Sequence, residues 1–198
     1  MKVGVLGFQG NIEEHLLATK LAMRNKGIEG EASIIKRPRE VDEIDGLIIP
    51  GGESTVMGIL GSFNGVLNRI KERAMEGLPI MGTCAGLIMM AKRTYDRVVG
   101  ETHQPLLGIL NVMVERNSFG RQRESFELPL KIPVLGNKDF PGVFIRAPSI
   151  KECYEGVEVL CMLREHIVGV KQGKLLGLAF HPELSGDLRL HEYFLDLI

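Results

Sequence analysis

The chain has 198 residues, 44% of them hydrophobic and 25% charged, which suits one globular domain with a substantial core and leaves no room for a second catalytic domain. Its 24 Lys and Arg nearly cancel its 25 Asp and Glu, so it lacks the global positive field that draws a protein onto nucleic acid or an anionic membrane. No apolar run is long enough to span a bilayer and no leader pattern precedes the strand-like run at Lys2, so a single cytoplasmic domain over residues 1–198 is expected.

The run "KVGVLGF" reads as a strand, and "QGNIEEHLLATKLAMRNKG" follows with apolar residues near helical spacing until Gly27. "ASIIKRP" and "DGLIIPGGES" supply two further strands, the second closed by the turn signal Pro50-Gly51-Gly52. A helical pattern then runs from Ser54 to about Met75, "LPIMG" is the next strand and "AGLIMMAKR" the next helix. Short, almost wholly apolar strands alternating with helices predict a mainly parallel sheet covered on both faces. After about residue 106 the segments "LLGILNVMVERNSF", "SFELPLKI", "GVFIRAP", "VEVLCML" and "HIVGVKQGKLLGLAFHPE" are strand-like, with "VKQGKLLG" as a hairpin. They either extend the sheet or form a small antiparallel one, and "DLRLHEYFLDLI" closes the chain as a helix. The glycines at 4, 7 and 10 do not have dinucleotide-fingerprint spacing.

Three cysteines without a C-x-x-C pair suggest neither a disulfide framework nor a zinc site. Cys153 and Cys161 read as small buried hydrophobes. Cys84 is different, because Gly82-Thr83-Cys84-Ala85-Gly86 places it in a G-x-C-x-G turn between strand and helix, the cysteine counterpart of a nucleophile elbow. A helix N-terminus there favours thiolate, and the N–H of Ala85 becomes an oxyanion donor. Gly51 and Gly52 in "PGGES" can supply the second donor from a neighbouring loop.

A thiolate attacking an acyl carbon needs a histidine, and the histidine needs an acid. His15, beside Glu13 and Glu14, is expected to be solvated or capping; His103 falls in a polar loop, His166 at a turn and His191 in the last helix. His181 ends the apolar run "LLGLAF" and Glu183 follows two residues later, on the same side of the chain if the segment is extended. The triad expected is therefore Cys84, His181 and Glu183.

These motifs, with "GVLGFQGN", "DGLIIPGGEST", "VERNSFGRQ", "FIRAP" and "AFHPEL", resemble the class I glutamine amidotransferases, and among them the glutaminase subunits of pyridoxal 5′-phosphate synthase. The resemblance implies a flavodoxin-like three-layer α/β fold with a small antiparallel extension. It implies hydrolysis of L-glutamine to glutamate and ammonia through a thioester on Cys84, with no metal or cofactor. Glutamine recognition carries over to Gly52, Glu53, Ser54, Arg116, Ile145 and Arg146, the oxyanion hole to Gly52 and Ala85, and a place near that loop and the synthase interface to Gln9. Arg121 and Arg123 read as surface charges or partner contacts. The implied partner is a ring-forming (β/α)8 synthase subunit that receives the ammonia and completes the oxyanion loop. A glutaminase serving another synthase, such as that of histidine biosynthesis, or a non-catalytic binding module of the same fold, remains open from sequence.

Overall fold

The computed structural model describes residues 1–96, 100–119 and 125–198. Strand β1 (Lys2–Leu6), helix α1 (Ile12–Asn25), β2 (Glu31–Ile35), the short α2 (Pro38–Val41), β3 (Gly46–Ile49), α3 (Ser54–Phe63), α4 (Val66–Met75), β4 (Ile80–Thr83) and α5 (Ala85–Met90) form the first half. Strands then dominate: β5 (Ala91–Asp96), β6 (Gly100–Glu101), β7 (Leu110–Arg116), β8 (Ser125–Leu130), β9 (Phe140–Ile145), β10 (Ser149–Cys153), β11 (Glu158–Leu163), β12 (His166–Gln172) and β13 (Leu175–Leu178), before α6 (Arg189–Leu195).

Among the described residues, the main sheet runs in the order β2-β1-β3-β4-β13-β12-β10-β7-β5-β6, with β11 also paired to β12. Its first five strands are parallel. Every residue of β3 and β4 is buried, as expected where both faces of a parallel sheet are covered. Burying side chains such as Leu47, Ile48 and Ile49, all fully inaccessible, is worth about 1.5–3 kcal/mol each. Beyond β13 the strands run mostly antiparallel, and the β12–β13 hairpin turns over Gly173-Lys174 with Gln172 opposite Leu175, as the sequence predicts.

Both open alternatives for the second half occur. β10, β12 and β13 extend the main sheet, while β8 and β9 form a separate antiparallel pair. The single helical pattern expected from Ser54 to Met75 is broken between α3 and α4, where Gly65 takes a left-handed φ of 78°. The helix after Cys84 is shorter than its apolar run suggests, because the chain becomes strand β5 at Ala91.

Candidate active site

Four neighbouring parallel strands open onto one place. β1 leads to Gln9-Gly10-Asn11, β3 to Gly51-Gly52-Glu53, β4 to Cys84 and β13 to His181. This is the carboxyl edge of the sheet, where open α/β folds bind ligands.

Cys84 stands immediately before α5 with φ 49° and ψ −104°, a conformation that costs an L-residue about 1–3 kcal/mol. Its surroundings hold it there. The Cys84 N–H donates to the carbonyl of Leu178 at 2.8 Å, and a Cβ on Gly86 would lie 1.9 Å from the carbonyl oxygen of Ile49. Only a glycine allows the turn to approach β3 so closely. The sulfur lies 3.9 Å from the carbonyl oxygen of Ile145, and Ala85 carries the first of the α5 N–H groups that have no partner within the helix. The other two cysteines differ in kind: burial pushes both thiols up, Cys161 to about 12.

His181 is fixed by its N–H, which donates to Val143 on β9 at 2.8 Å. Its Nδ1 lies 2.8 Å from Glu183 Oε1. The pairing is made by a turn rather than the extended segment the sequence suggests, because Pro182 initiates a 3-10 turn over Pro182–Leu184. With Nδ1–H donating to the carboxylate, Nε2 is left for the Cys84 sulfur. Burial disfavours a charged imidazole, but hydrogen bonding and charge from Cys84 and Glu183 outweigh it and raise His181 to about 10. Burial likewise opposes ionisation of Glu183, yet the hydrogen bond from His181, the facing histidines and a hydrogen bond from Asn11 bring it down to about 2.

A cavity of about 460 Å³ faces Cys84 and His181. Gln9, Gly52, Glu53, Ser54, Ala85 and Arg116 line it, together with Ile145 and Arg146. The residues expected from sequence at the substrate and oxyanion positions therefore share one chamber, and Glu183 lies behind His181. Gln9 Oε1 accepts from the Glu53 N–H at 3.3 Å, so it braces the glycine loop. Arg146 lies 3.5 Å from Glu53 Oε1 with both side chains exposed, a contact worth little in water. Arg121 and Arg123 lie outside the described residues.

Three contributors escaped the sequence reading. Asn11 Nδ2 donates to Glu183 Oε1 at 2.9 Å. Gln104 Oε1 accepts from Arg116 Nη1 at 3.1 Å and from Thr55 Oγ1 at 3.0 Å, which ties the arginine to the start of α3. His15 corrects an expectation: it is fully buried rather than solvated. The carboxylates of Glu13 and Glu14 lie on exposed positions of α1, while His15 shares its buried face with Thr19 and Ala22.

A model of the SNO glutamine amidotransferase family matches residues 5–198. The chain belongs to this family. Similar proteins include the pyridoxal 5′-phosphate synthase subunit PdxT of Methanosarcina mazei, 50% identical over 198 residues spanning 100% of this chain and 98% of that protein. PdxT of Pyrococcus furiosus is 50% identical over 100% of this chain and 99% of its own. A solved structure titled as a glutamine amidotransferase superposes with a TM-score of 0.85 at 46% identity, covering 98% of this chain and 97% of that one. A more distant glutamine amidotransferase from Thermotoga maritima, 17% identical with a TM-score of 0.64 over 99% of this chain and 83% of its own, shares the fold.

In this member of the SNO family, the bare backbone of Gly51 lets Cys84 and His181 lie in reach of one another. A Cβ at Gly51 would sit 2.5 Å from His181 Cε1 and 3.5 Å from Cys84 Cβ. Gly51→Ala should therefore lower kcat about 100-fold or more while leaving the unfolding midpoint close to wild type, since the clash displaces a partly open loop rather than the core. Steady-state glutamate release and a thermal melt on the same preparation check both parts.

Proposed function

We propose that the chain hydrolyses L-glutamine through Cys84, His181 and Glu183 and passes the ammonia to the partner subunit of a pyridoxal 5′-phosphate synthase. The observation that carries this reading is the Cys84–His181–Glu183 array, with Cys84 and His181 lining the cavity and Glu183 behind His181, in a chain of the SNO family. The Cys84 sulfur attacks the side-chain amide carbon, and the oxyanion forms beside the Ala85 N–H and the Gly52 loop. His181 gives its Nε2 proton to the departing ammonia, then takes a proton from the water that hydrolyses the thioester. Glu183 accepts from Nδ1 throughout and keeps the catalytic nitrogen facing the sulfur.

Arg116 is the group suited to the α-carboxylate of glutamine. Among the described residues, Gln104 and Thr55 engage its Nη1, and the residue lines the cavity, where a planar guanidinium fork suits a carboxylate. Arg116→Ala should raise KM roughly 10- to 100-fold with a smaller change in kcat, because the carboxylate is held equally in ground and transition states. A fall in kcat at constant KM would instead place Arg116 in the chemistry.

The partner also has a surface to meet. Val56, Ile59, Leu60 and Phe63 form an exposed i, i+3, i+4, i+7 stripe on α3, with Phe63 93% exposed, and α3 begins where the glycine loop ends. A ring-forming barrel subunit seated on this stripe would press on the oxyanion loop and so couple assembly to activation. Phe63→Asp should weaken stimulation by the synthase subunit at least about 10-fold in half-saturating concentration without altering unstimulated turnover.

The deciding experiment measures glutamate and ammonia release by the purified chain with and without the synthase subunit from the same organism. Stimulated release supports the proposal. Release indifferent to that subunit but stimulated by the histidine-biosynthesis partner would transfer the same chemistry to another synthase.

A further inference from the structure

Behind the triad lies a buried cluster that the proposed chemistry does not use. His15 on α1 and His191 on α6 are both inaccessible, with His15 Nδ1 3.1 Å from His191 Nε2. The other nitrogen of His15, Nε2, lies 3.1 Å from Thr83 Oγ1 and 3.3 Å from Glu183 Oε2. Among the described residues, Oε2 is buried with no hydrogen bond of good geometry and the Nδ1 of His191 has no partner.

These facts fix the protons. Burial pushes both histidines down, His191 to about 3, so each carries one N–H at neutral pH. If His191 held its proton on Nδ1, that N–H would be buried without an acceptor. His15 would then turn a lone pair toward a carboxylate. The opposite assignment satisfies both: His191 Nε2–H donates to His15 Nδ1, and His15 Nε2–H faces Thr83 and Glu183. An unprotonated imidazole nitrogen left bare on His191 costs less than an unpaired N–H.

We propose that His15 is a positioning residue of the triad, sharing its Nε2–H between Thr83 Oγ1 and Glu183 Oε2 and so holding the second carboxylate oxygen while the first accepts from His181. His191 acts one step further back by fixing the His15 tautomer. α1, remote in sequence from His181 and Glu183, and α6, just after them, are thereby both tied to the geometry of the site. The inference deepens the glutaminase reading and rests on it only for its turnover measurement.

Glutamine at position 15 places its amide nitrogen near the Nε2 position of histidine, whereas asparagine places it near Nδ1. His15→Gln keeps a donor on Glu183, whereas His15→Asn reaches only the His191 side, where its amide oxygen can still accept from His191 Nε2–H, with both variants polar and of similar size. Two rates are measured: alkylation of Cys84 by iodoacetamide at neutral pH, located by peptide mass, and glutamate release with the synthase subunit. His15→Asn should slow alkylation and lower kcat at least about 10-fold with KM unchanged, and His15→Gln should stay within about 3-fold of wild type. In a Glu183→Gln background the gap between the two should vanish, because His15 acts through that carboxylate. Equal Gln and Asn variants, a gap that persists without the carboxylate, or a change in KM alone would overturn the proposal. The alkylation cycle answers even if glutamine is not the substrate, which separates this failure from failure of the glutaminase reading. Should His15→Asn not fold by thermal melt, His191→Leu removes the tautomer-fixing donor and should slow alkylation several-fold; an unchanged rate overturns the proposal.

Discussion

Cys84→Ala is expected to abolish glutamine hydrolysis, by at least about 1,000-fold in kcat, while leaving the fold and glutamine binding intact. The substitution removes one atom from a side chain that is 9% exposed, keeps the positive φ tolerable to the same degree, and leaves Gly86 seated against Ile49. No other cysteine can substitute, since Cys161 is buried in the sheet and Cys153 lies on β10. The imidazole would retain its hydrogen bond to Glu183 but lose the sulfur that helps hold it charged. Glutamate release and isothermal titration with glutamine in the presence of the synthase subunit read the two halves separately. Retained binding with lost turnover fits a covalent nucleophile. Turnover within 10-fold of wild type would mean that water attacks directly and the thioester route is wrong.

The parts of this site that were legible from sequence are those with local causes. A nucleophile held at a positive φ needs small residues on both sides of it, so G-x-C-x-G marks its own geometry; the Pro-Gly-Gly turn and the His-Pro-Glu segment are likewise confined to a few consecutive residues. The parallel half of the sheet was legible because strands covered on both faces are apolar throughout. Contacts made by distant segments left no such trace. Asn11 reaches Glu183 across 172 positions, and Gln104 meets Arg116 from a loop with no pattern of its own. His15 carried a usable signal that the neighbouring glutamates masked: it stands four residues before Thr19 and seven before Ala22, on the inward stripe of α1. Reading the helical face instead of the adjacent residues would have placed it inside. The division of the second half between sheet extension and a separate β8–β9 pair depends on strand partners far apart in the chain, which alternation along one strand does not encode.

Glu183→Gln should lower kcat about 1,000-fold or more and, in the same protein, reduce stability near neutrality in a way that disappears in acid. The kinetic effect follows from the tautomer. A glutamine amide at this position can donate to His181 Nδ1, which sends the imidazole proton to Nε2, where it faces the sulfur and cannot accept. The stability effect follows from the depressed carboxyl. Because Glu183 is held at about 2 against an ordinary 4.5, its contribution is complete above pH 4.5 and fades as pH falls toward 2. His15 and His191 act with the same sign over a higher window: both are pushed below 6.5, His191 to about 3, so the unfolded chain takes up protons that the folded chain refuses as the pH drops below 6.5. Wild type should accordingly lose stability in two stages on acidification. The Glu183→Gln protein should start lower at pH 7, keep the histidine stage and lack the carboxylate stage, so that the difference in unfolding midpoint narrows between pH 4.5 and 2. Thermal melts across that range decide the matter. A difference that stays constant down to pH 2 would show that the ionised carboxylate is not what holds His181, and the assignment of Glu183 as the triad acid would fall with it.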